Sequence, residues 1–343
     1  MRIIHYLSIL LIIPYLLLNN LADCLNINNL IIKKNNKYNS FVILHSNLNP
    51  KITFVNNNVL QNKLIGVLNL VRYENIFPTI YLFLTGSFIV NPNINNLLLH
   101  KKKLLFSLIP TLCILMSNMI INDLFDIKLD KINNPSRPLI TGNISIKEAI
   151  ILLISLLSIT QYFNIYFLNN KLQYIINLSL LYTVIYTPIL KKIPLIKNLS
   201  CAFVVSSSIY LGALSTGIYK NINYLYQIML LVFLGSLSNE ILLDICDYDG
   251  DIKNKIYTLA TLFGKNIALS ISKIILNINI NSSILLMLLS AHPCYSFILL
   301  LLFIPILNDL DKVDNNYNII NVVNTAYRQL LYMLSLICLL SLK

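Results

Sequence analysis

Asn122-Asp123-Leu124-Phe125-Asp126-Ile127-Lys128-Leu129-Asp130 sets three carboxylates at the end of a long apolar stretch. Asp244-Ile245-Cys246-Asp247-Tyr248-Asp249-Gly250-Asp251 repeats the arrangement farther along, with Glu240 just ahead of it. Seven of the fourteen acidic residues in the 343-residue chain fall in these two runs. Ionisable groups where an apolar helix meets water are costly unless they are paired or bind a cation. Aspartate oxygens are hard ligands, suited to Mg²⁺ and, through it, to phosphate. The active site is therefore expected where the two runs meet.

Outward from these runs the chain is apolar, with 56% hydrophobic and 12% charged residues, no Trp and a mean hydropathy of +0.70. Several stretches approach the roughly 20 residues that span a bilayer, which predicts an all-α integral membrane protein. Nine transmembrane helices are expected, near 77–93, 102–122, 146–167, 172–190, 199–218, 224–244, 266–288, 292–307 and 324–342. The net charge of +12 would fit nucleic acid, but the basic residues lie in the N-terminal leader and in short loops, leaving no soluble basic face. Cys24, Cys113, Cys201, Cys246, Cys294 and Cys338 show no metal-ligand spacing and are expected to be reduced and buried. Helices two, four and six must leave the membrane on one side, so both acidic runs and the Tyr186–Lys191 stretch border one mouth. More Lys and Arg lie on that side than on the other, which makes it the cytoplasm-equivalent face.

Residues 1–23 have the form of a signal peptide, with Arg2 before an apolar core and Ala22 after it. Residues 24–70 are free of acid and rich in Asn and Lys. Together they resemble a bipartite plastid-targeting leader of apicoplast type. The other reading is a signal anchor followed by an Asn-rich spacer. The catalytic domain is expected over 71–343.

Asn122, Asp126 and Asp130 stand i, i+4, i+8 and share one face of a continuing helix, whereas Asp123 lies about 100° away and suits a capping or supporting role. Asp244, Asp247 and Asp251 stand i, i+3, i+7. Like charges at such spacings repel by a few tenths of a kcal/mol per pair, and a divalent cation turns that repulsion into binding. Between the runs, Asn133-Asn134-Pro135-Ser136-Arg137-Pro138 breaks the helix and holds Arg137 between two prolines, its fork of donors suited to phosphate. Ser145 and Glu148 predict a capping box opening the third helix. Tyr186, Lys191, Lys192 and Asn198 are brought to the same side. For Tyr186 an interfacial aromatic belt, and for the two lysines a positive-inside bias, are the alternatives.

In order and spacing, Asn122-x3-Asp126-x3-Asp130 with Arg137-Pro138-Leu139 and Gly142 resembles the first signature of the UbiA superfamily of intramembrane prenyltransferases. Asp244-x2-Asp247-x3-Asp251 with Thr258-Leu259 and Phe263-Gly264 resembles the second. Tyr186 to Lys191 resembles the stretch between them. The likeness covers about 65–343. It implies a nine-helix bundle around a central cavity, and Mg²⁺ held by Asp126, Asp130, Asp247 and Asp251 as the catalytic carboxylates. Asn122, Asp123, Arg137, Tyr186, Lys191, Asn198 and Asp244 would bind substrate. An isoprenyl diphosphate would give its prenyl group to an aromatic or hydroxyl acceptor, as in quinone, chromanol or lipid biosynthesis. The second motif is closest in form to homogentisate prenyltransferases, chlorophyll synthases and geranylgeranylglyceryl-phosphate prenyltransferases, and departs from haem O synthases. Asn239 and Leu243 stand where many relatives carry basic residues. The alternative from another class is a polytopic transporter with cation-binding Asp clusters, which would place its carboxylates near the membrane midplane.

Overall fold

The computed structural model describes residues 55–217, 221–254, 256–289, 301–309 and 319–340. The expected signal peptide and most of the leader lie outside them, as does most of the eighth expected helix. Two compact units divide the chain, Met1–Gln61 and Asn62–Lys343. Of the first, only the opening turns of a helix are described. The helix α1 (Val55–Leu70) ends on a fully buried Leu70, and Lys63 ion-pairs with Glu148.

No strand occurs among the described residues. A 3₁₀ turn, Tyr73–Asn75, leads into α2 (Ile76–Val90) and the short α3 (Ile94–Leu99). Next come α4 (Lys101–Phe125), α5 (Ile127–Asn133), α6 (Pro138–Thr141), α7 (Ile146–Phe167) and α8 (Asn170–Tyr186). A 3₁₀ turn at Leu190–Lys192 precedes α9 (Ile196–Ser215) and α10 (Ile222–Cys246). Then follow α11 (Tyr248–Lys253), α12 (Leu259–Phe263), α13 (Lys265–Leu289), α14 (301–309) and α15 (Ile319–Leu340). Ser145 and Glu148 form the expected capping box at the start of α7.

Five of these helices, α4, α7, α9, α10 and α13, are long and apolar enough to cross a membrane. At 15 and 17 residues, α2 and α8 fall short of the usual span. The five differ in surroundings. Within its apolar window α10 is 61% buried and α7 only 17%. Ile151, Ile154, Ile165 and Tyr166 of α7 are exposed, while Thr160 and Asn164 of the same helix are buried. Apolar residues out and polar residues in is the pattern that lipid, rather than water, imposes on a bundle.

Helix α10 packs on α9, α13 and α15, and α9 packs on α2, α4 and α10. The main apolar core follows α10, through Ile228, Val232, Ile241 and Leu242 to Ala268, Leu276, Val322 and Leu334. Ser238 and Ser272 clasp α10 to α13, their hydroxyls 2.8 Å apart and each donating to the other's backbone carbonyl. Helices α2 and α9 meet backbone to backbone. A Cβ on Gly86 would lie 1.9 Å from the Ile209 carbonyl oxygen, and one on Gly212 would lie 1.8 Å from that of Phe83. Such reciprocal close approach is what small residues permit between membrane helices. Gly212→Ala should force α2 and α9 apart, as overpacking does at a typical cost of about 1–3 kcal/mol. A fall of several degrees in the melting temperature of detergent-solubilised protein is expected.

Candidate active site

Both acidic runs sit at a break between two helices. Helix α4 ends at Phe125, and Asp126 takes φ −93° and ψ 9° before α5 begins. Helix α10 ends at Cys246, and Asp247 takes φ −86° and ψ 1° before α11 begins. The i to i+4 backbone bonds continue across each break: Asp126 N–H to Asn122 O at 2.9 Å and Asp130 N–H to Asp126 O at 2.8 Å, then Asp247 N–H to Leu243 O and Asp251 N–H to Asp247 O, each at 3.0 Å. The continuous helix expected through Asn122, Asp126 and Asp130 is thus two helices, whose register survives the junction.

The two runs meet. A Cβ on Gly250 would lie 1.5 Å from the Asn133 Oδ1, so α11 rests directly on the last residue of α5. Lys191, from the turn after α8, donates to Asn122 Oδ1 at 2.8 Å and ion-pairs with Asp126, while its charge also reaches Asp247 and Asp251. Arg137 acts on Asp130 and Asp247 in the same way, and its Nε is buried without a hydrogen-bond partner. One lysine and one arginine therefore serve both runs.

The carboxylates differ in what they touch. Asp123 is 1% exposed and accepts from Arg72 Nη2 at 2.9 Å. Asp244 is also 1% exposed and accepts from Lys197 Nζ at 2.5 Å and Asn198 Nδ2 at 2.8 Å. Asp130 and Asp251 are buried without such a cation. Burial pushes Asp130 up to about 6, helped by Asp123 and Asp126 and opposed by Arg137. Burial also pushes Asp251 up to about 6, opposed by Lys197 and helped by Asp247 and Asp244. Burial raises Asp247 too.

These residues fit a hard divalent cation. Asp251 Oδ2 is buried with no partner, and two carboxylates carrying raised pKa values gain from a neutralising ion. No three acidic, His or Cys side chains among the described residues converge closely enough to hold a metal by themselves.

Of the remaining expected site residues, Tyr186 is buried rather than part of an exposed aromatic belt, its hydroxyl 2.8 Å from Cys201 Sγ and its ring stacked on Tyr182. An aromatic cluster of Phe106, Tyr162, Phe163, Tyr166 and Phe167 lies instead at the far end of α4 and α7. Of the described cysteines, Cys113 and Cys338 are buried as expected, whereas Cys246 is exposed beside the second run. Arg72 and Lys197 escaped the sequence reading, one counted with the leader and the other with the loop charges. Aligning Asp123 with Asp244, each first in an Asp-x2-Asp-x3-Asp series, would have raised the question of which cations they bury against.

An all-helical bundle with five helices of membrane-spanning length and apolarity gathers cations and carboxylates where α4 and α10 end. The UbiA prenyltransferase family model matches residues 79–317, and the chain belongs to that family. It is 34% identical over 214 residues to a digeranylgeranylglyceryl phosphate synthase of Saccharolobus solfataricus, covering 60% of this chain and 73% of that one. Further synthases of that name match over half to two thirds of their length. Two solved structures share the fold. A UbiA homolog from Aeropyrum pernix K1 has a TM-score of 0.60 at 17% identity, covering 77% of this chain and 95% of that one. A UbiA homolog from Archaeoglobus fulgidus bound to GPP and Mg²⁺ has 0.56 at 18%, covering 78% and 98%. The protein is a prenyltransferase, a transferase of alkyl or aryl groups other than methyl, and the transporter alternative falls away.

Proposed function

We propose that this protein moves a prenyl group from an isoprenyl diphosphate to a hydroxyl of a glyceryl phosphate-type lipid, with Mg²⁺ and release of diphosphate. The meeting of the two acidic runs at Asn133 and Gly250, with Lys191 and Arg137 charged toward both, is the observation that supports it most. The acceptor class follows the name shared by relatives 34% and 37% identical to this chain, in preference to an aromatic ring.

In this reading Asp126, Asp130, Asp247 and Asp251 hold Mg²⁺, which when bound shields the diphosphate charge and makes it a better leaving group. Lys191 and Arg137 face the same diphosphate, and Asn122 keeps Lys191 turned toward it. Their charges stabilise the negative charge that grows as the allylic C–O bond breaks. The acceptor oxygen forms the new bond to carbon, and its proton leaves with the diphosphate. Tyr186, buried against Tyr182 and Cys201, is assigned to substrate binding. Nine membrane spans, and an address in residues 1–70 for a plastid-type membrane, complete the proposal.

Purified protein in lipid nanodiscs, given Mg²⁺, geranylgeranyl diphosphate and geranylgeranylglyceryl phosphate, should release diphosphate and form the ether lipid seen by mass spectrometry. Homogentisate in place of the lipid should give little product. Turnover with homogentisate alone would overturn the acceptor assignment, and release of diphosphate from neither pair would overturn the reaction.

A further inference from the structure

The two acidic runs share one spacing, Asp-x2-Asp-x3-Asp, at 123/126/130 and at 244/247/251. The likeness extends into three dimensions. The middle aspartate stands at a helix break with nearly the same dihedrals in each, and the last is buried without a dedicated cation. In each the first aspartate is 1% exposed and held by one basic residue from an unrelated part of the chain, Arg72 in the first and Lys197 in the second. Both cations lie beside strained backbone. Arg72 itself has φ 49°, and Leu195, two residues before Lys197, has φ 65°. A non-glycine residue in that region costs of order 1–3 kcal/mol and persists where its surroundings hold it there.

Resting on the metal reading above, we infer that Arg72 and Lys197 are positioning residues that occupy Asp123 and Asp244. Each run then offers two carboxylates rather than three to the metal and diphosphate. A buried carboxylate stripped of its partner is an uncompensated charge, which the fold relieves by taking up a proton or by seizing another cation. Lys197 stripped of Asp244 is equally unmatched, and the carboxylates its charge already reaches are Glu240, Asp251 and Asp247. An unpartnered Lys197 would be shared between Glu240 and the two metal-binding aspartates, and so would compete with the metal for Asp247 and Asp251. Asn198 adds directional hold, fixing the second oxygen of Asp244. Asp123 and Asp244 shape the mouth without touching the ion.

The test uses the full chain in nanodiscs, with Mn²⁺ as the probe, read by the loss of its free-ion electron paramagnetic resonance signal, and geranylgeranyl thiodiphosphate binding read by calorimetry. Asp244→Asn should weaken Mn²⁺ binding tenfold or more. The charge-neutral pair Lys197→Met with Asp244→Asn should bring both affinities back to within threefold of wild type, as should Arg72→Met with Asp123→Asn. Lys197→Arg, which keeps the ion pair, should bind Mn²⁺ like wild type and serves as the folded control. If the Lys197→Met, Asp244→Asn pair stays tenfold weak for Mn²⁺, Asp244 is a metal ligand and the inference fails. If it recovers Mn²⁺ but stays tenfold weak for the thiodiphosphate, Lys197 holds the substrate itself, and the inference fails equally. Wild-type protein that takes up no Mn²⁺ at all would sink the metal reading instead, a separate result.

Discussion

Gly250→Ala should lower kcat/KM about a hundredfold while the bundle stays folded, the size of loss that a misplacement of about 1 Å produces at a catalytic centre. The substitution is otherwise benign. Gly250 lies within α11 and is not in the left-handed region, and alanine in a helix is favoured over glycine by about 1 kcal/mol. All the harm comes from one contact. The new methyl would sit 1.5 Å from Asn133 Oδ1 and 2.3 Å from Asn133 Cγ, where van der Waals contact needs more than 3 Å. Either the Asn133 side chain turns away or helix α11 moves off α5, and both disturb the contact between the two acidic runs. Shortening Asn133 in the same molecule makes room, so Gly250→Ala with Asn133→Gly should recover most of the activity that Gly250→Ala loses. Wild-type rates from Gly250→Ala alone would show that the contact between the runs is irrelevant to turnover.

Asp251→Asn should abolish turnover, by a factor of about 10³ or more if a metal ligand contributes the several kcal/mol expected of charge stabilisation. Its effect on stability should have the opposite sign. Asp251 is pushed up to about 6 in the folded chain by burial and by Asp247 and Asp244, above the ordinary carboxylate value near 3.8. A carboxylate raised in this way binds its proton more tightly folded than unfolded. Its stabilising contribution is complete below pH 3.8 and is lost as pH rises through about 6, so at pH 7.5 the ionised group strains the fold. An amide there carries no charge. In a chelator at pH 7.5 the variant should melt a few degrees above wild type, and Mg²⁺ should raise the melting temperature of wild type only. Asp130→Asn should behave alike, since Asp130 is raised to the same value by burial and by Asp123 and Asp126. A variant that is both inactive and less stable in chelator would contradict this account.

Most of what decides the class of this chain was legible in its sequence. Apolar stretches of bilayer length, acidic runs at their ends and a break at Pro135 and Pro138 follow from hydropathy and spacing. The capping box at Ser145 and Glu148 was readable because its geometry is local. What stayed hidden was pairing across the chain. Arg72 and Asp123 are 51 residues apart and Lys197 and Asp244 are 47 apart, and no local pattern marks either pair. The kinks at Asp126 and Asp247 were hidden for a different reason. Nothing in Phe125-Asp126-Ile127 or Cys246-Asp247-Tyr248 breaks a helix, so tertiary packing sets the turn. The packing of Leu70 in the core around Ile120 and Ala149 was hidden in the same way, because the Asn-rich sequence of α1 resembles what precedes it.

The ion pairs of Asp123, Asp126 and Asp244 lie at one rim of the bundle, and the aromatic cluster around Phe106 and Phe163 marks the other, about 30 Å away along α4 at 1.5 Å per residue. A reaction centre at one rim is a one-sided source. In the reaction proposed above, donor and acceptor would both present their headgroups to the same compartment, and each product molecule would start in the leaflet on that side.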